Sequence, residues 1–357
     1  MMARILRILA GGTVAASLAF PQAPSSRPSP GAANALSPPP DQNAGEVIGP
    51  DNLIYSVADL DRSVAFYRDT LGLELTSQVG RAAGLPAPAP LNEALSDLTG
   101  THGAKFRAAT FELPGAGFGL ELTEFTGIEK KAGEARTYDP GAAMLVLTVR
   151  DVDAVLSSVR KAGGRIVTAG GEPVNLAGRN GGGRRFVFVR DPDGVLIELS
   201  QPYPLPSTTA ALGSQVIGGR FGLTVEDTEK TLNFYHRVFG FESKPGAAFA
   251  ANSVVQNGVG ATGAQFRNSS ATLPGGAVTW ELVESRNIDR KPFRLRVPDP
   301  GAPAFSLGVR DADAPAARVQ AEGGSVVSRS GGLDKKPGIF VRDPNGFLIE
   351  LIQRPVY

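Results

Sequence analysis

The sequence predicts an α+β protein of two tandem domains, each built from two βαβββ modules. Three observations carry that prediction. An eleven-residue segment is written twice, VRDPDGVLIEL at 189–199 and VRDPNGFLIEL at 341–351. A looser unit is written four times: an apolar run, an aspartate, an amphipathic stretch and a glycine. The 44 Gly and 28 Pro among 357 residues favour many turns and short strands over long helices.

The repeat extends well beyond the eleven residues. Asp59 through Gly72 matches Asp227 through Gly240 at a shift of 168 residues, and Gly103–Arg107 matches Gly263–Arg267 at 160. Leu113-Pro114-Gly115 and Asp139-Pro140-Gly141 recur at the same shift of 160, and the closing segment recurs at 152. The shift changes only between motifs, so length differences belong in loops. In each quarter a strand-like run ends at Asp59, Asp151, Asp227 or Asp311, placed to cap the following helix. Helices are expected over Arg62–Thr70, Ala154–Ala162, Glu229–Val238 and Ala314–Ala321, where apolar residues recur at three- and four-residue spacing. Gly72, Gly163, Gly240 and Gly323 then suit helix C′ positions. Short strands such as Gly119–Phe125 and Val278–Glu284 complete each unit. Phe66-Tyr67 and Phe234-Tyr235 sit at helical core spacing and read as packing.

Bulk composition removes several function classes. A hydrophobic content of 42% with 20% charged residues suits a soluble globular chain. Net charge is +1, so neither nucleic acid nor an anionic membrane is an expected partner. With no cysteine there is no disulfide, thiolate nucleophile or Cys-ligated metal. Only His102 and His236 supply imidazole.

Residues 1–20 read as an export signal: Arg4 and Arg7, then the apolar stretch Ile8–Phe20, with Ser17-Leu18-Ala19 offering small residues for cleavage. The alternative is an uncleaved N-terminal anchor. A periplasmic or extracellular location is the expectation. Residues 21–49 read as a disordered Pro/Ala/Ser linker. The first domain is assigned to 50–203, a linker to 204–217 and the second domain to 218–357.

The V-x-D-x-[DE] helices with FY, and the late DP-[DN]-G-x-x-IEL strand, resemble the vicinal oxygen chelate superfamily. That superfamily includes glyoxalase I, bleomycin-resistance proteins and extradiol dioxygenases. The resemblance covers about 50–203 and 218–355. It implies that βαβββ modules form cupped mixed sheets around a cavity. It also implies that metal-binding members place His or Gln on the first strand and Glu on the last strand of a module. Paired domains within one chain, and hence a monomer, are a further implication.

Carried onto this sequence, the first-strand positions fall on Asn52 and Met144 in the first repeat and on Arg220 and Ala304 in the second. The last-strand positions fall on Glu121 and Glu198, then Glu281 and Glu350. All four carboxylates are present and every imidazole is missing. Two carboxylates alone are a poor site for Zn²⁺, Fe²⁺ or Ni²⁺, and Arg220 should pair with Glu281 or Glu350. Asp51, one residue out of register, is a lone further candidate.

The first reading is therefore an exported protein that binds a small organic molecule in its cups without the usual metal. Asn52, Arg107, Glu121, Met144, Glu198, Arg220, Arg267, Glu281, Ala304 and Glu350 are its candidate ligand-binding residues. Arg107 and Arg267 either bind an anionic group or pair with Glu121 and Glu281. His102, in a Gly/Thr-rich segment, is either a candidate general base or a solvated loop residue. The second reading is a metal-dependent lyase or dioxygenase with an atypical ligand set centred on the first domain, Glu121 and Glu198 being its candidate ligands and a divalent ion its cofactor. The third is a structural module whose cups are filled by side chains.

Overall fold

The computed structural model describes residues 47–76, 85, 87–178, 181–276, 278–333 and 336–354. The expected export signal and nearly all of the 21–49 linker lie outside these. The edges of the linkers move: Val47–Gly49 and Val216–Ile217 are strand residues.

Each quarter supplies one module. The first contains β1 (Val47–Val57), α1 (Leu60–Ala65) running into a π turn at Phe66–Thr70, β2 (Ala89–Pro90), α2 (Glu93–Thr99), β3 (Lys105–Phe111) and β4 (Gly119–Thr126). The second contains β5 (Ala143–Val149), α3 (Val152–Lys161), β6 (Arg165–Ile166), β7 (Val174–Ala177), β8 (Gly183–Arg190) and β9 (Leu196–Tyr203). The third contains β10 (Val216–Val225), α4 (Thr228–Phe239), β11 (Glu242–Lys244), α5 (Ser253–Val259), β12 (Gln265–Thr272) and β13 (Thr279–Arg286). The fourth contains β14 (Pro303–Val309), α6 (Asp313–Val319), β15 (Ser325–Leu333), β16 (Lys336–Arg342) and β17 (Leu348–Gln353).

The helix boundaries follow local chemistry. Asp59 and Asp227 each accept a hydrogen bond from the backbone N–H three residues on, and Asp151 accepts two. Asp311 accepts from Asp313 N at 2.9 Å, although Ala312 is the capping residue of α6. Gly72, Gly163, Gly240 and Gly323 all have φ between 73° and 89°, the left-handed region in which glycine carries no Cβ penalty. The short helices α2 and α5 were not anticipated. Each starts at an asparagine cap, Asn92 or Asn252, and ends at a left-handed glycine, Gly100 or Gly260.

Two mixed sheets result, and their membership crosses the sequence repeats. One has the order β15-β16-β17-β14-β1-β4-β3-β2, the other β11-β12-β13-β10-β5-β9-β8-β6. The first and fourth modules thus share one sheet, joined by antiparallel β1 and β14. The second and third share the other, joined by antiparallel β5 and β10. Within each module the first and last strands are parallel neighbours.

Alternation along the strands gives every sheet two faces. Leu53, Tyr55 and Val57 of β1 join Leu120, Leu122, Leu145, Leu147, Phe221, Trp280, Phe305 and Leu351 in one large core that draws on both sheets and the long helices. Phe305 lies 5.3 Å from Phe221 and 4.9 Å from Trp280, ring centre to ring centre, so the aromatic cluster ties one sheet to the other. Burying rings of this size makes such a seam a dominant source of stability. The opposite faces form the two cups.

The segments between modules exchange contacts in matched pairs. Lys131 N donates to Asp299 and Lys291 N to Asp139, each at 2.9 Å. Gly133 N donates to Pro300 O and Phe293 N to Pro140 O. Among the described residues no helix is long and apolar enough to cross a membrane.

Candidate functional site

The face of β1 opposite the main core carries Asn52, Ile54 and Ser56. Register places Gly119, Glu121 and Thr123 of β4 beside them. On the other side come Ala304 and Ser306 of β14, then Leu348 and Glu350 of β17, with Phe340 of β16 beyond. Leu98 of α2 reaches over this surface and packs with Ala304, Phe340 and Leu348, supported by Ile54, Leu95 and Val297. The carbonyl of Leu98 accepts a hydrogen bond from Ser328 of β15, so a helix of the first module roofs strands of the fourth. A Cβ at Gly338 would stand 3.0 Å from Leu98 Cδ2, so this glycine lets the leucine pack closely on the strand.

The floor of this first cup is carboxylate-rich. Asn52 Nδ2 donates to Glu121 Oε2 at 2.9 Å, and the Asn52 amide lies against Gly119, where a Cβ would collide with it. Burial raises the pKa of Glu121; the Asn52 hydrogen bond opposes this and the charge of Asp51 adds to it. Burial likewise pushes Glu350 up to about 7, helped by the nearby Glu121 charge and then, after a partial offset from the Ser306 hydroxyl, by Asp51. Asp51 is itself raised by burial, although it pairs with Arg354. Among the described residues no lysine or arginine pairs with Glu121 or Glu350. Both keep some accessible surface while enclosed by protein, as at the bottom of a narrow cup.

The second cup uses the equivalent positions differently. Glu198 pairs with Arg184, and Glu281 pairs with Arg220. Burial opposes the charge on Arg220, but Glu281 and Glu198 outweigh it and raise its pKa. Arg184 also lies over the Phe186 ring at 4.2 Å. Met144 fills the space over Gly222, where a Cβ would lie 2.9 Å from its Cγ. Met144, Val146, Phe186, Phe188 and Leu196 form an apolar cluster closed by Val254 and Val259 of α5. Thr168 and Thr137 donate to the carbonyls of Gly258 and Val259 and hold that roof down.

These geometries correct several expectations. Glu121 and Glu198 stand in different sheets, so they cannot serve as two ligands of one metal centre in the first domain. The residues that come together are Asn52, Glu121, Ala304 and Glu350 in one cup, and Met144, Glu198, Arg220 and Glu281 in the other. Arg107 and Arg267 line neither cup, because they sit on the helix-facing side of β3 and β12. Arg107 pairs with Glu124 and Asp61, and Arg267 with Glu284 and Glu229, rather than with Glu121 and Glu281. His102 is exposed and lies 3.3 Å from Asp97, with no hydrogen bond to a cup carboxylate. Arg184 was hidden beside Gly181-Gly182-Gly183, which reads as a loop. The signal was there: Arg184, Phe186 and Phe188 alternate along one face of β8.

The imidazole–carboxylate metal centre implied by the resemblance does not fit either cup. Guanidinium groups already neutralise both carboxylates of the second. In the first, Ala304 offers no donor atom and Asn52, whose Nδ2 donates to Glu121, offers an amide oxygen in place of an imidazole nitrogen. Among the described residues no cluster of three or more His, Cys, Asp and Glu side chains is arranged to hold a metal ion.

The class defined by four βαβββ modules and two carboxylate-floored cups is also the one found by comparison. The profile of the Glyoxalase/Bleomycin resistance protein/Dioxygenase superfamily matches residues 49–199 and 218–351, and the chain belongs to this superfamily. It is 28% identical over 191 residues to lactoylglutathione lyase GLX1 of Arabidopsis thaliana, covering 53% of each chain. It is 31% identical over 160 residues to lactoylglutathione lyase of Haemophilus influenzae, covering 44% of this chain and 93% of that one. The chain thus spans about half the length of the plant relatives it matches. In fold it is similar to glyoxalase I from Zea mays, with TM-score 0.55 and 19% identity over 87% of this chain and 92% of that one.

Proposed function

We propose that the protein binds a small organic molecule in the first cup, and that the second cup is structural. The observation that carries this reading is the contrast between equivalent glutamates. Glu198 and Glu281 are each held by an arginine, whereas among the described residues Glu121 and Glu350 face their cup without a cationic partner. A cup floor of this kind offers carboxylate oxygens to hydrogen-bond donors of a ligand, and Ile54, Leu98, Phe340 and Leu348 offer apolar walls to its body. The usual metal has no part in the proposal.

A second reading is favoured by Glu350. A carboxyl held near neutrality can accept and return a proton at physiological pH. That suits a lyase or isomerase working by proton transfer, and the relatives named above are lyases. Export directed by residues 1–20, a periplasmic or extracellular location and a monomeric state with both domains paired in one chain complete the proposal. Fractionation and light scattering test these last points.

The central test is a ligand screen by thermal shift on the full chain, followed by the same screen on L98W, E350Q and R220M. Hits lost in L98W and E350Q but retained in R220M support the first cup as the working site. Hits lost only in R220M, or none at all, overturn it. A saturable shift with Mn²⁺, Zn²⁺ or Ni²⁺ that disappears in E350Q would instead establish the metal-dependent alternative.

A further inference from the structure

We propose that the cavity between the 129–131 segment, the 294–299 segment and Arg342 is a binding site for a phosphate-type oxyanion. This open cleft has a volume of about 480 Å³ and is lined by Glu129, Lys131, Arg294, Leu295, Arg296, Asp299 and Arg342. Its size falls within the range of small-molecule sites, roughly 300–1,000 Å³. Four cationic side chains face two acidic ones, a balance of +2.

The duplicated architecture supplies its own control. In the other half Arg190 occupies the place of Arg342, and the two guanidinium groups are held identically. Arg190 donates to the carbonyls of Gly194 and Ala135, and Arg342 to those of Gly346 and Leu295. The charge beside them is reversed. Glu134 packs on Gly194, with its Cγ 2.6 Å from where a Cβ would stand, and pairs with Arg165 and Arg190. Arg294 packs in the same way on Gly346, with Nε 2.5 Å from where a Cβ would stand. The equivalent positions of the other half, Arg136, Arg190 and Lys291 against Glu134, Asp139 and Asp289, balance to zero.

One half therefore carries its own counter-ion and the other has exchanged it for a second guanidinium. The remaining acids do not compensate. Asp299 is engaged by Arg296 and by the backbone N–H groups of Lys131 and Arg296. Its charge is thus spent on Arg296, which leaves Lys131, Arg294 and Arg342 against Glu129 alone. Burial and the charge of Arg294 both lower the pKa of Arg342, as expected of like charges held together. Two guanidinium groups fixed around one glycine are suited to planar, multidentate recognition of a phosphate.

The probe is inorganic phosphate, titrated into the full chain by calorimetry at constant ionic strength. One saturable site is expected. R294E, which writes in the acid of the other half, should weaken it at least tenfold, and R294A should weaken it by a smaller factor. E350Q should leave it unchanged, so this result is independent of the first cup. No saturable binding, or equal affinity in R294E and the unmodified protein, overturns the proposal.

Discussion

Glu121 and Glu350 lie on strands separated only by β1 and β14, although 229 residues separate them in the chain, and the charge of Glu121 raises the cost of ionising Glu350. Glu350 is held at about 7 in the folded protein against 4.5 for the free side chain. The folded state therefore retains a proton that the unfolded chain releases between these two values. Stability must fall as pH rises through that window. The melting temperature of the unmodified protein is expected to fall from pH 4.5 to 7.5, more steeply than that of E350Q. In E121Q the Glu350 carboxyl, followed by carbon-13 NMR, should titrate lower than in the unmodified protein. An unchanged midpoint would show that the two carboxyls are not coupled.

Arg220 stands between Glu281 and Glu198 in the second cup. Removing it alone leaves the partly buried Glu281 carboxylate without its partner, a cost of about 1–3 kcal/mol. Replacing both members of the pair with apolar residues should recover much of that cost. Urea unfolding is expected to rank R220M as the least stable, with R220M/E281L between it and the unmodified protein.

Phe305 touches Phe118, Phe221 and Trp280 and is fully buried. F305A should cost about 3–5 kcal/mol. Because the ring sits where the two sheets meet, near-ultraviolet circular dichroism from Trp280 should weaken even though the mutation lies in the other sheet. A Trp280 signal that persists unchanged would mean that the seam does not transmit packing.

Gly258 in α5 presses directly on Phe186, with no room for a Cβ. G258A should therefore lift the roof of the second cup at a cost of about 1–3 kcal/mol, the range for overpacking. Hydrogen exchange is expected to quicken in Ser253–Val259 and in Val174–Ala177, and to stay unchanged in α2, which roofs the other cup.

Much of this architecture was legible because short-range rules wrote it. Asp59, Asp151 and Asp227 announce helix starts, and Gly72, Gly163, Gly240 and Gly323 their ends. Counting back seven residues from each helix-start aspartate lands on Asn52, Met144, Arg220 and Ala304, all of which face a cup. What the residues could not announce was partnership between distant strands. Nothing local to β1 says that it pairs with β14 rather than β5, since β14 and β5 are both buried seven-residue strands. The pairing of Arg107 with Glu124 was hidden for a related reason. A shift of three residues from Glu121 moves a side chain to the other face of the strand. The roofs formed by α2 and α5 were missed because seven-residue helices carry too little periodicity to stand out.

The crossing of modules between sheets has a consequence for how the two cups could come to differ. A symmetric pair of identical domains must build the same cavity twice, so any substitution that suits one ligand is imposed on both sites. Here each position exists in two independent copies: Asn52 answers Arg220, Ala304 answers Met144, and Ile54 answers Gly222. Joining the halves in one polypeptide released each cavity from copying the other. One could be locked by ion pairs and side-chain filling while its twin kept its acids bare.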